Sequence, residues 1–240
     1  LTLAAVLIIQ CLFFADGGLL ALGCNIFNLG VIPCLLVYPL LFRRLTRTGL
    51  SGKTLSTASI LSTVVGLELG AFCVVLETLA SGITLLPFFS FAALMLPIHL
   101  AIGLVEGLVT AAVLTFVHKL RPEILDSTGA RGKIAAGVPM KKVLAVLVIV
   151  TLLVAGGLSL FASAYPDGLE WSMEKLAGTA ELAAGGGLFD RAAAIQERTA
   201  FMPDYNYAGA GEEDSPAGTA AAGLVGSLMT FALAGAAGLA

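Results

Sequence analysis

Charge is scarce in this sequence. Only 12% of its 240 residues are Asp, Glu, Lys or Arg, against about 25% in a soluble domain. The 13 basic and 16 acidic residues leave a net charge of -3, too little positive charge for a nucleic-acid partner. Histidine occurs twice, at His99 and His118, and no HExxH helix is present. Cys11, Cys24, Cys34 and Cys73 lie in apolar segments without CxxC spacing. They read as small packing residues, with disulfides or a soft-metal site as the alternatives. Walker A loops and nucleophile elbows are absent, and the glycines at 185–187 follow no strand. An intramembrane enzyme would need a nucleophile–base pair at usable spacing, and none is found, so no residue is assigned a catalytic role. ATP hydrolysis, if it drives this chain, belongs to another subunit.

What fills the sequence instead is apolar: 58% of residues are hydrophobic, beyond the soluble range of about 45–50%. A membrane-spanning helix needs about 20 such residues. Apolar runs at about 1–14, 24–42, 55–80, 91–117 and 143–163 qualify, and a sixth at about 217–240 is rich in Ala and Gly. The expected fold class is an all-α membrane protein, a polytopic transmembrane helix bundle of about six spans with one external loop domain. The chain opens on LTLAAVLIIQ, with neither Met nor a basic signal-peptide region. The expectation is a helix entered part-way, in a sequence lacking its N-terminal part.

Basic residues orient the bundle. Arg43, Arg44, Arg47 and Lys53 follow the second span; Lys119, Arg121, Arg131, Lys133, Lys141 and Lys142 follow the fourth. The positive-inside rule puts loops 43–53 and 119–142 in the cytoplasm, and 15–23, 81–90 and 165–216 outside. TRTGLSGKT at 46–54 reads as a hairpin loop, and DSTGARGKIAAGVPMKK at 126–142 as a flexible linker. The expected domains are a transmembrane core at 1–120, a cytoplasmic linker at 121–142, and a two-span hairpin at 143–240.

Ionisable groups inside spans are costly and normally face the bundle interior or a watery cavity. In LPIHLAIGLVEGLVT, His99, Gly103, Glu106, Gly107 and Thr110 fall on one helical stripe. His99 and Glu106 stand two turns, roughly 10 Å, apart. They either fix packing through neighbouring helices or line a substrate path. The third span carries Ser62, Gly66, Gly70, Cys73 and Glu77 on one stripe, with Gly66 and Gly70 forming a GxxxG step. Glu77 is placed near the external end, within reach of water, and Glu68 points elsewhere and needs its own partner.

FFADGGLLALGCNIFNLGV at the start, continued by LPIHLAIGLVEGLVTAAVL, resembles the signature of the CbiM/NikM family over about residues 1–120. Members are the substrate-specificity membrane components of energy-coupling-factor transporters for Co2+ and Ni2+. AYPDGLEWSMEKLAG and FMPDYNY in the second half resemble a PDGLE domain, similar to the small CbiN/NikN component. Its motif is Pro166, Asp167, Gly168, Leu169 and Glu170. These residues are read as a turn with helix capping, or alternatively as acids that pass metal to the core.

The resemblance implies ATP-driven uptake of Co2+ or Ni2+ across a prokaryotic plasma membrane, serving cobalamin synthesis or nickel enzymes. Its partners would be the lipid bilayer, a transmembrane coupling subunit and cytosolic ATPase subunits. In such proteins nitrogen donors of an N-terminal Met-His segment and of an early histidine hold the metal. No position here matches those ligands, so this chain alone is expected to bind no metal tightly, and no bound cofactor is expected. Asp16, Asn25 and Asn28 are then left as supports, holding a non-helical segment in place or contacting the metal-bearing segment. A non-transporting membrane scaffold is the competing reading.

Overall fold

The computed structural model describes residues 1–82, 86–126, 139–163, 165–179, 185–207 and 215–239. Most of the linker expected at 121–142, Arg131 and Lys133 included, lies outside them, as do parts of loops 81–90 and 165–216. Every long element is helical, and no strand occurs among the described residues. Helix α1 (Thr2–Phe13) is followed by α2 (Leu22–Ile26), which runs through a π-helical stretch (Phe27–Phe42) into α3 (Arg43–Leu45). Then come α4 (Gly52–Ser81), α5 (Phe88–Leu120), α6 (Pro122–Asp126) and α7 (Met140–Gly156). Short α8 (Gly168–Ala177) and α9 (Gly187–Thr199) precede α10 (Pro216–Leu239), with 3-10 turns at Leu158–Phe161 and Pro203–Tyr205.

Among the described residues, five helices are long and apolar enough to cross a membrane: Leu22–Leu45, Gly52–Ser81, Phe88–Leu120, Lys141–Phe161 and Pro216–Ala237. Helix α1 is equally apolar but covers 12 residues, about 18 Å at 1.5 Å per residue. Large apolar side chains are exposed along these helices, such as Val105, Leu108, Leu153 and Phe231. In water that would be an aggregation hazard; in a bilayer it is the expected outer face. The chain is a multi-pass membrane protein of the all-α class.

Two compact units form, interleaved along the chain. One gathers Leu1–Phe27, Leu147–Tyr165 and Leu182–Ala240; the other gathers Asn28–Val146 and Pro166–Glu181. The segment at 165–216 therefore contributes α8 to the second unit and α9 with the 203–205 turn to the first.

In the second unit, α4 is packed on both sides through glycine. A Cβ on Gly66 would lie 3.6 Å from Pro33, and one on Gly70 would lie 3.0 Å from the carbonyl oxygen of Asn28. On its other side α4 meets α5, where a Cβ on Gly103 would stand 3.1 Å from Val64 Cα. At Gly107 it would stand 2.9 Å from Ile60 Cα. Both pairings run in opposite senses along the chain, so the three helices are antiparallel neighbours in close backbone contact. Pro33 and Pro39 sit inside the π-helical stretch, where each lacks the N–H that an α-helical ladder requires.

The turn after the first of these spans is short and capped. Ser51 Oγ accepts from Thr54 N at 3.1 Å to start α4, which ends on Gly82 in the left-handed region at φ 61°. A left-handed stop of this kind favours glycine because a Cβ there is strained.

Candidate functional site: a clamped loop and a buried amide

The signature loop between α1 and α2 belongs to the first unit. Ala15 adopts φ 56° and Gly17 φ 72°, so the backbone reverses through two left-handed residues around Asp16. For alanine this conformation is strained, and the surrounding bonds hold it. Asp16 is exposed at the end of α1, and its carboxylate accepts from Gln10 Nε2 at 3.0 Å and from the Tyr205 hydroxyl. Gln10 Nε2 also donates to the Tyr205 oxygen at 2.8 Å.

Tyr205 arrives on a second strained segment, with φ 50° at Asp204 and 58° at Tyr205 itself. Its ring stacks on Phe14, centroids 5.2 Å apart, within a core of Ile9, Phe14, Met202 and Ala222. Backbone bonds run alongside: Phe201 N and Met202 N donate to Phe13 O, and Asp204 N donates to Phe14 O at 2.8 Å. Burial, and then the hydrogen bond to Asp16, push the Tyr205 phenol above its ordinary value.

Gln196 on α9 closes the other end of the loop. Its Nε2 donates to Gly17 O at 2.8 Å and Cys11 O at 3.2 Å, and its Oε1 accepts from Leu19 N at 3.0 Å. One side chain thus satisfies two loop groups and a carbonyl in the last turn of α1, where the helix leaves carbonyls without partners. Asn25 stands by the same loop: a Cβ on Gly17 would lie 3.2 Å from its Nδ2.

Asn28, in the second unit, is 2% exposed. Its Nδ2 donates to Glu77 Oε2 at 2.8 Å, while its Oδ1 is buried without a partner. Glu77, expected near the end of its span within reach of water, is half-buried close to the end of α4 and pairs with this amide. Hydrogen bonding to an amide is the cheaper solution for a carboxylate at a helix interface.

The stripe expected on α5 divides. Gly103 and Gly107 face α4, but Glu106 is exposed. The contact with α4 follows the i+4 row through Gly103, Gly107 and Ala111, and Glu106 lies on its outer flank. His99 Nδ1 is 2.8 Å from Met95 O, and on α4 Glu68 Oε1 is buried without a hydrogen-bond partner.

His99 also meets the PDGLE motif. Asp167 caps α8 by accepting from Glu170 N at 2.8 Å, and Glu170 Oε2 accepts from Asp167 N at 3.3 Å. This reciprocal capping box occupies both acids. A Cβ on Gly168 would lie 3.1 Å from His99 Cε1 and Ile102 Cδ1. Leu169 packs beside the buried cluster of Ala71, Val75, Phe91 and Met95. Each letter after Pro166 therefore serves the docking of α8 on α5 within this unit.

Among the described residues no three His, Cys, Asp or Glu side chains converge. Gln10, Gln196 and Tyr205 were not singled out by sequence reasoning. Gln10 left a trace, as an amide in an otherwise apolar helix; Gln196 left none.

An all-α multi-pass bundle with a clamped loop between α1 and α2 defines the class. The family described as the cobalt uptake substrate-specific transmembrane region, CbiM, matches residues 1–124, and the PDGLE domain matches residues 141–240. The chain belongs to the CbiM family and carries a PDGLE domain. It is 32% identical over 237 residues to the "Putative fused nickel transport protein NikMN" of Archaeoglobus fulgidus, covering 97% of this chain and 69% of that protein. It is 33% identical over 128 residues to the cobalt transport protein CbiM of Sorangium cellulosum, covering 50% of this chain and 53% of that protein. A metal transport protein of Haloquadratum walsbyi is 32% identical over 130 residues, covering 52% of this chain, which spans 55% of its length. No solved structure matches the chain.

Proposed function

We propose that this chain is the substrate-specificity component of an energy-coupling-factor importer of Co2+ or Ni2+. A transmembrane coupling subunit and cytosolic ATPase subunits complete the machine, and ATP is hydrolysed on the latter. The observation that carries the reading is the Gln196 clamp. It ties the ADGG loop of the CbiM region to the PDGLE region through Cys11, Gly17 and Leu19. A loop held open-backed by a second domain is a frame for a metal-bearing segment, and Asp16 and Asn25 shape that frame without ligating the ion, while Asn28 and Glu77 pair with each other within the second unit. Polar groups that orient ligands tune metal affinity strongly even from outside the coordination sphere. His99 and Glu106 are left to helix packing and to an exposed flank of α5 rather than to the primary site.

The importer sits in the prokaryotic plasma membrane with Arg43, Arg44, Arg47 and Lys53 on the cytoplasmic side, together with the 119–142 loop. Loops 15–23 and 165–216 then face outward. The clamp supports a shared side for the first of these and residues 201–205, because backbone bonds from Phe201, Met202 and Asp204 end on Phe13 and Phe14, directly before that loop. The domain division proposed is a core at 1–120, a linker at 121–142 and a PDGLE hairpin at 143–240. Names of relatives divide between nickel and cobalt, so both ions belong in the test. Cells expressing the complete gene, with and without the ATPase partners, are assayed for radiolabelled nickel and cobalt. ATPase-dependent accumulation of at least one ion is expected; accumulation of neither supports the scaffold.

A further inference from the structure

The end of the second unit opposite Asn28 and Glu77 holds a cavity of about 540 Å³ that the transport reading does not use. Its floor is apolar: Tyr38, Phe42, Leu50, Leu55, Leu114 and Leu125. Its rim carries Arg43 and Arg47, one helical turn apart and both exposed. Thr46 lies between them with its hydroxyl committed to Phe42 O at 2.8 Å.

No Asp or Glu occurs in the sequence between Asp16 and Glu68. Among the described residues neither guanidinium has an acidic partner. The rim straddles the end of the span Leu22–Leu45, with Arg43 in its last turn and Arg47 just beyond, the depth at which lipid headgroups lie.

We propose that this cavity is a binding site for one anionic phospholipid. Arg43 and Arg47 hold its phosphodiester, and the apolar floor takes the start of an acyl chain. Guanidinium forks match phosphate oxygens in geometry and charge, and basic clefts between spans are recognised by anionic headgroups. The volume falls within the range of about 300–1,000 Å³ that encloses small ligands. An ordinary zwitterionic lipid offers the same chain but a compensated charge, so the site discriminates by headgroup.

The test uses the full chain in nanodiscs of phosphatidylcholine containing a minor share of phosphatidylglycerol, released and weighed by native mass spectrometry. Wild type is expected to retain phosphatidylglycerol in preference to phosphatidylcholine. The paired substitution Arg43→Gln/Arg47→Gln is expected to cut that retention about thirtyfold, from the typical weight of two basic residues at a membrane surface. Arg44→Gln removes a single charge outside the cavity and is expected to change retention much less than the pair does. Leu114→Trp keeps every charge, fills the floor and is expected to lower retention as well.

The proposal is overturned if wild type shows no headgroup preference, or if Arg44→Gln acts as strongly as the pair. Displacement by millimolar inorganic phosphate also overturns it, because an anion site without a chain contribution remains. Loss of the lipid on assembly with partner subunits, with Arg43 and Arg47 then shielded from phenylglyoxal, overturns it too and gives the cavity to an acidic protein segment.

Discussion

Tyr205 shows how a single side chain commits two strained segments to one arrangement. Its phenol bonds to Asp16 and Gln10 while its ring stacks on Phe14. The raised phenol value means that the neutral form is favoured in the folded state. Its contribution is therefore complete below the unfolded tyrosine value of about 10 and is lost as pH rises through the folded value. In a spectrophotometric titration, one of the four tyrosines is expected to ionise after the others, and Tyr205→Phe is expected to remove that late step. A titration unchanged by the substitution would refute the buried pairing. Glycine gives the second residue-level prediction. Ala at Gly107 would press on Ile60 Cα and its carbonyl, at 2.9 and 3.2 Å, which cannot rotate away. Gly107→Ala is expected to lower stability by about 1–3 kcal/mol. Gly23→Ala, with nothing within 4 Å, is not. Thermal unfolding of both variants in detergent checks this.

Helix α8 is a short element whose attachment depends on a cap and a missing side chain. Asp167→Ala removes the capping box and is expected to cost about 1 kcal/mol of local helix stability. Gly168→Leu drives a side chain into Ile98, His99 and Ile102 and is expected to lift α8 from α5. Trp171, half-buried on α8, is the only tryptophan in the chain, so its emission reports this element alone. A red shift in Gly168→Leu, and a smaller one in Asp167→Ala, is the expected result; unchanged emission in both would mean that α8 is held by other contacts. The spans and the PDGLE turn were legible in sequence because hydrophobic runs, caps and turn residues act over a few positions. Glu106 was misjudged because helical angle alone does not say which flank of a stripe a neighbour will cover. Gln196 was illegible for a different reason: its partners, Cys11, Gly17 and Leu19, lie 177 to 185 residues away, and no local pattern announces a pairing of that range.

Across the whole molecule, two family regions in one chain share the work of holding one loop. Polar groups that would be expensive near a membrane are spent on backbone that has left helical form, which is where such groups are needed. On the proposed function, the PDGLE region is a structural part of the loop frame, acting through Gln196 and Tyr205 rather than through ligation by Asp167 or Glu170. The most direct measurement is radiolabelled nickel and cobalt uptake by cells that express the complete gene with the proposed coupling and ATPase subunits. Wild type is compared with Gln196→Ala/Tyr205→Phe at matched membrane levels. The account predicts that uptake at low metal concentration falls by about tenfold or more in the variant, in the range found when groups that orient metal ligands are removed. Saturating metal is predicted to restore much of it. Uptake by the variant indistinguishable from wild type at every concentration would contradict the central claim.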